Sequence, residues 1–112
     1  MTVVAVARVH GIAVAHAELV ELLRRTAAAA RAEPGCRSYD VAEALDGADE
    51  FVVVHAWSDE AALEAHYRGA AHQAYQRDVF GLLARPSELV IHQVASTERP
   101  VDPGPMDPRQ AD

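Results

Sequence analysis

Between Glu50 and Tyr75 the chain gathers His55, Trp57, His66, Tyr67 and His72, and Arg77 follows closely. Imidazole is the side chain whose proton exchange lies nearest neutral pH, so each of these histidines is a candidate general base. An indole N–H or a guanidinium can donate to a developing oxyanion, which gives Trp57 and Arg77 a polarising role in the same site. Structural roles stand beside these. Trp57 also fits a pocket wall, His55 a hydrogen-bonded histidine of the core or of a subunit interface, His72 a cap near Gly69, and Arg77 a solvated helix charge. Tyr75 and Phe80 read as core, and Cys36 as a buried thiol and not a nucleophile. Metal binding finds no support. His66 and His72 are six residues apart, far around the cylinder of one continuous helix instead of on one face, and no carboxylate or thiol falls at a recognised ligand spacing.

The elements that must position these groups follow from periodicity. Glu50 to Trp57 is a strand of β-branched and aromatic residues, with Phe51, Val53, His55 and Trp57 on one face and Val52, Val54 and Ala56 on the other. Ser58-Asp59-Glu60 then supplies an N-cap and first-turn acids for a helix. A glycine inside a helix costs roughly 1 kcal/mol against alanine, so Gly69 predicts two helical pieces, Asp59 to Tyr67 and Ala71 to Leu83. Upstream, Thr2 to His10 is a strand, His16 to Ala32 an amphipathic helix ended by Glu33-Pro34-Gly35, and Cys36 to Leu45 a strand with Arg37, Tyr39, Val41 and Glu43 on one side. Asp46-Gly47-Ala48-Asp49 closes a hairpin, and Ser87 to Ala95 is the last strand.

The order β-α-β-β-α-β predicts an α+β, ferredoxin-like fold: a four-stranded antiparallel sheet with the helices on one face. Its other face is rich in valine and alanine, larger than a soluble monomer usually leaves bare, so a homodimer is expected. The 112 residues suit one domain, here 1–97, followed by a Pro/Asp-rich tail, 98–112, expected to be disordered. A net charge of −7, with 17 acids against 10 basic residues that are all arginine, disfavours nucleic acid and anionic membranes as partners. The single cysteine, and the lack of any apolar run of about 18 residues, predict a cytoplasmic protein.

Glu33-Pro34-Gly35-Cys36 with Tyr39, a strand ending in Trp57, then Ser58-Asp59-Glu60-Ala61-Ala62-Leu63, His66 and His72, resembles the antibiotic biosynthesis monooxygenase (ABM) domain family over residues 2 to about 95. The resemblance implies a dimeric α+β barrel with a pocket in each subunit between sheet and helices. It also implies cofactor-independent oxygenation of a quinol-like or polyketide aromatic substrate by O2. On that reading His66, His55 and Trp57 are the catalytic candidates, and Tyr67, His72 and Arg77 the substrate contacts. A non-catalytic or small-molecule-binding dimer, or an isomerase, on the same scaffold are the alternatives.

Several positions depart from the family pattern. His55 stands where many members carry glutamate two residues before the tryptophan. Val53 and Leu63 stand where anthrone-oxidising members have asparagine and tyrosine, and Ala7 and Gln76 where haem-degrading members have asparagine and histidine. The chain contains no asparagine, so neither set is complete, which argues against haem degradation and against the usual anthrone-oxidising arrangement.

Overall fold

The computed structural model describes residues 1–101, 104 and 109. Four strands, β1 (Val3–His10), β2 (Cys36–Glu43), β3 (Glu50–Trp57) and β4 (Glu88–Gln93), form one sheet in the order β2-β3-β1-β4, every neighbouring pair antiparallel. Helices α1 (His16–Arg31), α2 (Glu60–Arg68) and α3 (Ala70–Val79) all cover the same face. The expected ferredoxin-like α+β arrangement is therefore the one observed. Most of the Pro/Asp-rich tail lies outside the described residues. None of the helices among the described residues is long and apolar enough to cross a membrane.

The core forms where the inward residues of β1 and β3 meet α1. Val3, Ala5 and Val9 alternate inward from β1 and Phe51, Val53, His55 and Trp57 from β3, all buried. Leu19, Leu22, Leu23, Thr26, Ala27 and Ala30 form the helical stripe of α1 that closes over them. The Asp59 side chain accepts from the Ala62 N–H at 2.8 Å and caps α2 as its sequence suggests. At Gly69 the chain is extended, at φ −74° and ψ 163°, so the break predicted there separates α2 from α3.

Four local expectations are corrected. The second helical piece stops at Val79, not Leu83, because Gly81 adopts φ +86° and turns the chain back. Leu83 then bridges to Gly11, and Phe80, expected in the core, is 89% exposed. Strand β2 ends at Glu43, which leaves Leu45 in solvent. A register shift between Cys36 and Ser38 absorbs Arg37 as an extra residue, which breaks its alternation with Tyr39: Arg37 is exposed and Tyr39 buried.

The opposite face carries Val4, Val6, Val52, Val54, Ala56 and Val90, with no element among the described residues over it. Val54 and Val90 are exposed. On the helix side of the edge strand β4, Leu89 and Ile91 are also about half exposed, at 47% and 48%, since none of the helices reaches that far across the sheet.

Candidate functional site

Between the sheet and the three helices lies a chamber of about 350 Å³, toward the small end of the range of roughly 300–1,000 Å³ usual for ligand pockets. Strand β3 supplies Val53 and His55, β1 Ala7 and Val9, and β2 Tyr39. His66 and Tyr67 enter from the end of α2, and His72, Tyr75 and Gln76 from α3. The break at Gly69 allows this convergence: two helical segments present their histidines to one space, although the spacing would spread them around a single helix. The His66 ring lies 5.5 Å from that of His55 and 5.4 Å from that of His72, centroid to centroid.

Hydrogen bonding assigns different roles to the two deepest imidazoles. The indole Nε1–H of Trp57 donates to His55 Nδ1 at 2.8 Å. An indole can only donate, so Nδ1 is the bare nitrogen and neutral His55 carries its proton on Nε2. Burial, with the nearby His66 and His72 adding to it, pushes the His55 pKa down to about 4, so the ring is neutral at pH 7. His55 thus faces the chamber as a hydrogen-bond donor.

His66 is the reverse. Its Nδ1 stands 2.9 Å from Glu33 Oε2. A carboxylate accepts, so in the neutral ring Nδ1 holds the proton and Nε2 keeps a free lone pair. That Nε2 atom and the Tyr67 hydroxyl are buried and have no hydrogen-bond partner among the described residues. Buried polar atoms are nearly always satisfied, so two orphans side by side in a chamber wall mark a place built for a ligand. Burial also raises the pKa of Tyr39, Tyr67 and Tyr75, which keeps these phenols protonated. His72 is pushed down by burial and by His66, with Glu33 opposing.

Trp57 is fully buried and does not line the chamber; it lies against His66, at 4.7 Å between centroids, while holding His55. Arg77 sits on the exposed side of α3, away from the chamber. Val53, Ala7 and Gln76, three of the positions at which the chain departs from the family pattern, all line the chamber, whereas Leu63 belongs to the core. Glu33 was read only as part of the stop signal of α1. Its partner lies 33 residues further on, a separation that local spacing does not reveal. Among the described residues no three His, Cys, Asp or Glu side chains are grouped so as to hold a metal ion. A second cavity, of about 340 Å³, lies between α1 and β2, lined by Val20, Val41 and Phe51 with Arg24 and Arg31; it holds neither histidine nor tyrosine.

Comparison with known proteins identifies the family and the fold. The sequence model described as "Antibiotic biosynthesis monooxygenase" matches residues 2–78. The Synechocystis protein sll1783 is 30% identical over 81 residues, 72% of this chain and 55% of that protein. The Mycobacterium tuberculosis protein Rv0793, which carries a provisional monooxygenase name, is 42% identical over 62 residues, 54% of this chain and 59% of that protein. The chain thus spans somewhat more than half the length of the curated relatives it matches. The solved structure of Rv0793 superposes with a TM-score of 0.82 at 30% identity, covering 88% of this chain and 100% of that one. A Deinococcus radiodurans structure assigned to the same monooxygenase class superposes at 0.83 with 21% identity, covering 89% and 99%, a likeness of fold alone.

Proposed function

Because the chain belongs to the antibiotic biosynthesis monooxygenase family, we propose that its chamber binds a quinol-like or polyketide hydroxyaromatic and oxygenates it with O2, the substrate's own anion serving as electron donor. The observation that carries this reading is the buried, unpartnered Nε2 of His66, with its tautomer fixed by Glu33. That nitrogen takes the proton of the substrate hydroxyl. The imidazole rings of His55 and His66 are neighbours, 5.5 Å apart centroid to centroid, so both can act on one substrate oxygen. The same oxygen that gives its proton to His66 then accepts from His55 Nε2–H, and Tyr67 is the further donor.

The rest of the cycle uses the substrate. Its delocalised anion gives one electron to O2, the resulting radical and superoxide combine in a C–O bond, and the peroxide takes back the proton from His66. Loss of the remaining hydrogen on that carbon as a proton, with hydroxide leaving as the O–O bond breaks, yields a carbonyl and water. Tyr67 and His72 contact the substrate. Trp57 acts through His55 as a positioning residue, while Arg77, on the outer side of α3, is left no part in this chemistry. The test is oxygen consumption by the purified protein with a reduced naphthoquinol or with anthrone. Uptake above the spontaneous rate is expected, and its absence with both substrates removes the reading for this class.

The same reading includes a second copy of the chain packed on the bare sheet face, because Val4, Val6, Val52, Val54 and Val90 together form an apolar surface of the kind an isologous contact covers. Sedimentation at micromolar concentration is expected to give a dimer. Val54→Arg, which places a charge in the middle of that face, is expected to give a folded monomer; an unchanged dimer would locate the contact elsewhere.

A further inference from the structure

Among the described residues, His66 alone lines both the chamber and a second hollow of about 630 Å³ on the outside of the molecule. This outer groove runs between the end of α1 and the α2–α3 break, and its walls are small: Ala29, Ala62, Ala65 and Ala71. Glu33 also lines the groove, its side chain 23% exposed, while the His66 side chain is 1% exposed. His66 is thus set into the wall between two spaces, with Nε2 bare and Nδ1 on the carboxylate that lines the groove.

We propose that His66 and Glu33 form a two-way proton channel through that wall, with Glu33 as its solvent outlet. The proposal rests on the reading of His66 as the base that takes the substrate's proton. On substrate binding the hydroxyl proton passes to His66 Nε2, the Nδ1 proton passes to Glu33, and Glu33 releases it into the groove. For the later protonation of the peroxide the order reverses. A solvent proton enters on Glu33, moves to Nδ1, and the Nε2 proton goes to the peroxide oxygen. No charge is left behind, and the imidazole returns to its starting tautomer without a ring flip.

The groups around His66 leave no competing route. Tyr39 faces it from β2, His55 and Trp57 from β3, Tyr67 from α2 and His72 from α3. None of these also lines the groove. Burial disfavours ionisation of both tyrosines and protonation of both neighbouring histidines, so a proton reaching His66 is not diverted to them.

The experiment uses 1-naphthol under argon at pH 7.5, where it is un-ionised in water and no oxygenation can occur. Calorimetry in two buffers of different ionisation enthalpy counts protons, and the naphtholate absorption band reports ionisation of the ligand. The wild-type protein is expected to show the band and to release about one proton per site. Glu33→Gln keeps an acceptor for Nδ1–H but cannot carry a proton; it is expected to bind 1-naphthol with the band and the proton release both lost. Ala65→Leu, which fills the groove and leaves the chamber alone, is expected to release the same number of protons more slowly in stopped-flow with a pH dye. Circular dichroism establishes that both variants are folded. A naphtholate band without proton release in the wild type, or release from Glu33→Gln equal to wild type, overturns the channel. Oxygen uptake with a reduced naphthoquinol, measured on the same preparations, separates the two readings. Uptake without proton release overturns the channel alone, and loss of both naphthol binding and uptake overturns the channel and the oxygenase together.

Discussion

Replacing His66 by glutamine is expected to lower oxygen uptake with a reduced naphthoquinol by about 10²–10⁴-fold, the usual contribution of a positioned general base. Glutamine can still donate to Glu33 and roughly fill the space, so the carboxylate, 23% exposed at its side chain, is not stranded. What disappears is the free Nε2 lone pair in the chamber wall. Without it the substrate hydroxyl has no positioned acceptor for its proton. A His66→Gln protein with an unchanged melting temperature and little activity meets the expectation. Wild-type turnover would remove His66 from the chemistry, and equal loss of activity and stability would point to a packing role.

Folding stability is expected to fall as pH drops from about 6.5 toward about 4, and His55 is the reason. In the unfolded chain this imidazole protonates around its ordinary value of 6.5, whereas in the folded protein burial and the neighbouring histidines delay protonation to about 4. Between those values the unfolded state binds more protons than the folded one, so stability rises with pH through the window and is lost as pH falls through it. At full effect the difference is worth about 3 kcal/mol at most, on the order of 10 °C in melting temperature for a domain of this size. His72, shifted the same way, adds to it. Melting curves between pH 4 and 7 test the window, and His55→Gln is expected to flatten the slope. An equally steep slope in that variant would mean that other groups carry it.

Much of the fold could be read from the sequence because its signals are local. The alternation of Phe51, Val53, His55 and Trp57 fixed one face of β3, and Gly69 fixed the helix break. The same local reading extended α3 through Leu82 and Leu83, whose spacing continues a helical stripe. The positive φ of Gly81 turns those leucines back toward Gly11 instead, and Phe80 is left in water. The register shift before Ser38 was hidden in the same way, since a strand's own sequence does not say where its partner slips.

The site was legible in its members and not in its wiring. His55, His66, Tyr67 and His72 do meet in one chamber. That Trp57 holds His55 as a donor, and that Glu33 holds His66, depends on side-chain directions and on a pairing between distant segments. Arg77 was singled out by residue type, but its position on the helix turns it outward.

Gly35 carries a consequence of its own. It sits at φ +81°, and a β-carbon there would come within 2.6 Å of Ala62 Cβ and 2.9 Å of Ser58 Oγ. Its carbonyl accepts from the Ser58 N–H at 2.8 Å, so the loop that bears Glu33 is seated against the first turn of α2. The absence of a side chain at this one position is what lets a glutamate after α1 and a histidine of α2 reach each other. Any larger residue there would act as a shim, prising the loop away from the helix it rests on. Because the backbone there is strained for any other residue and the contact with Ala62 is too close, that damage would lower the melting temperature as well as the turnover.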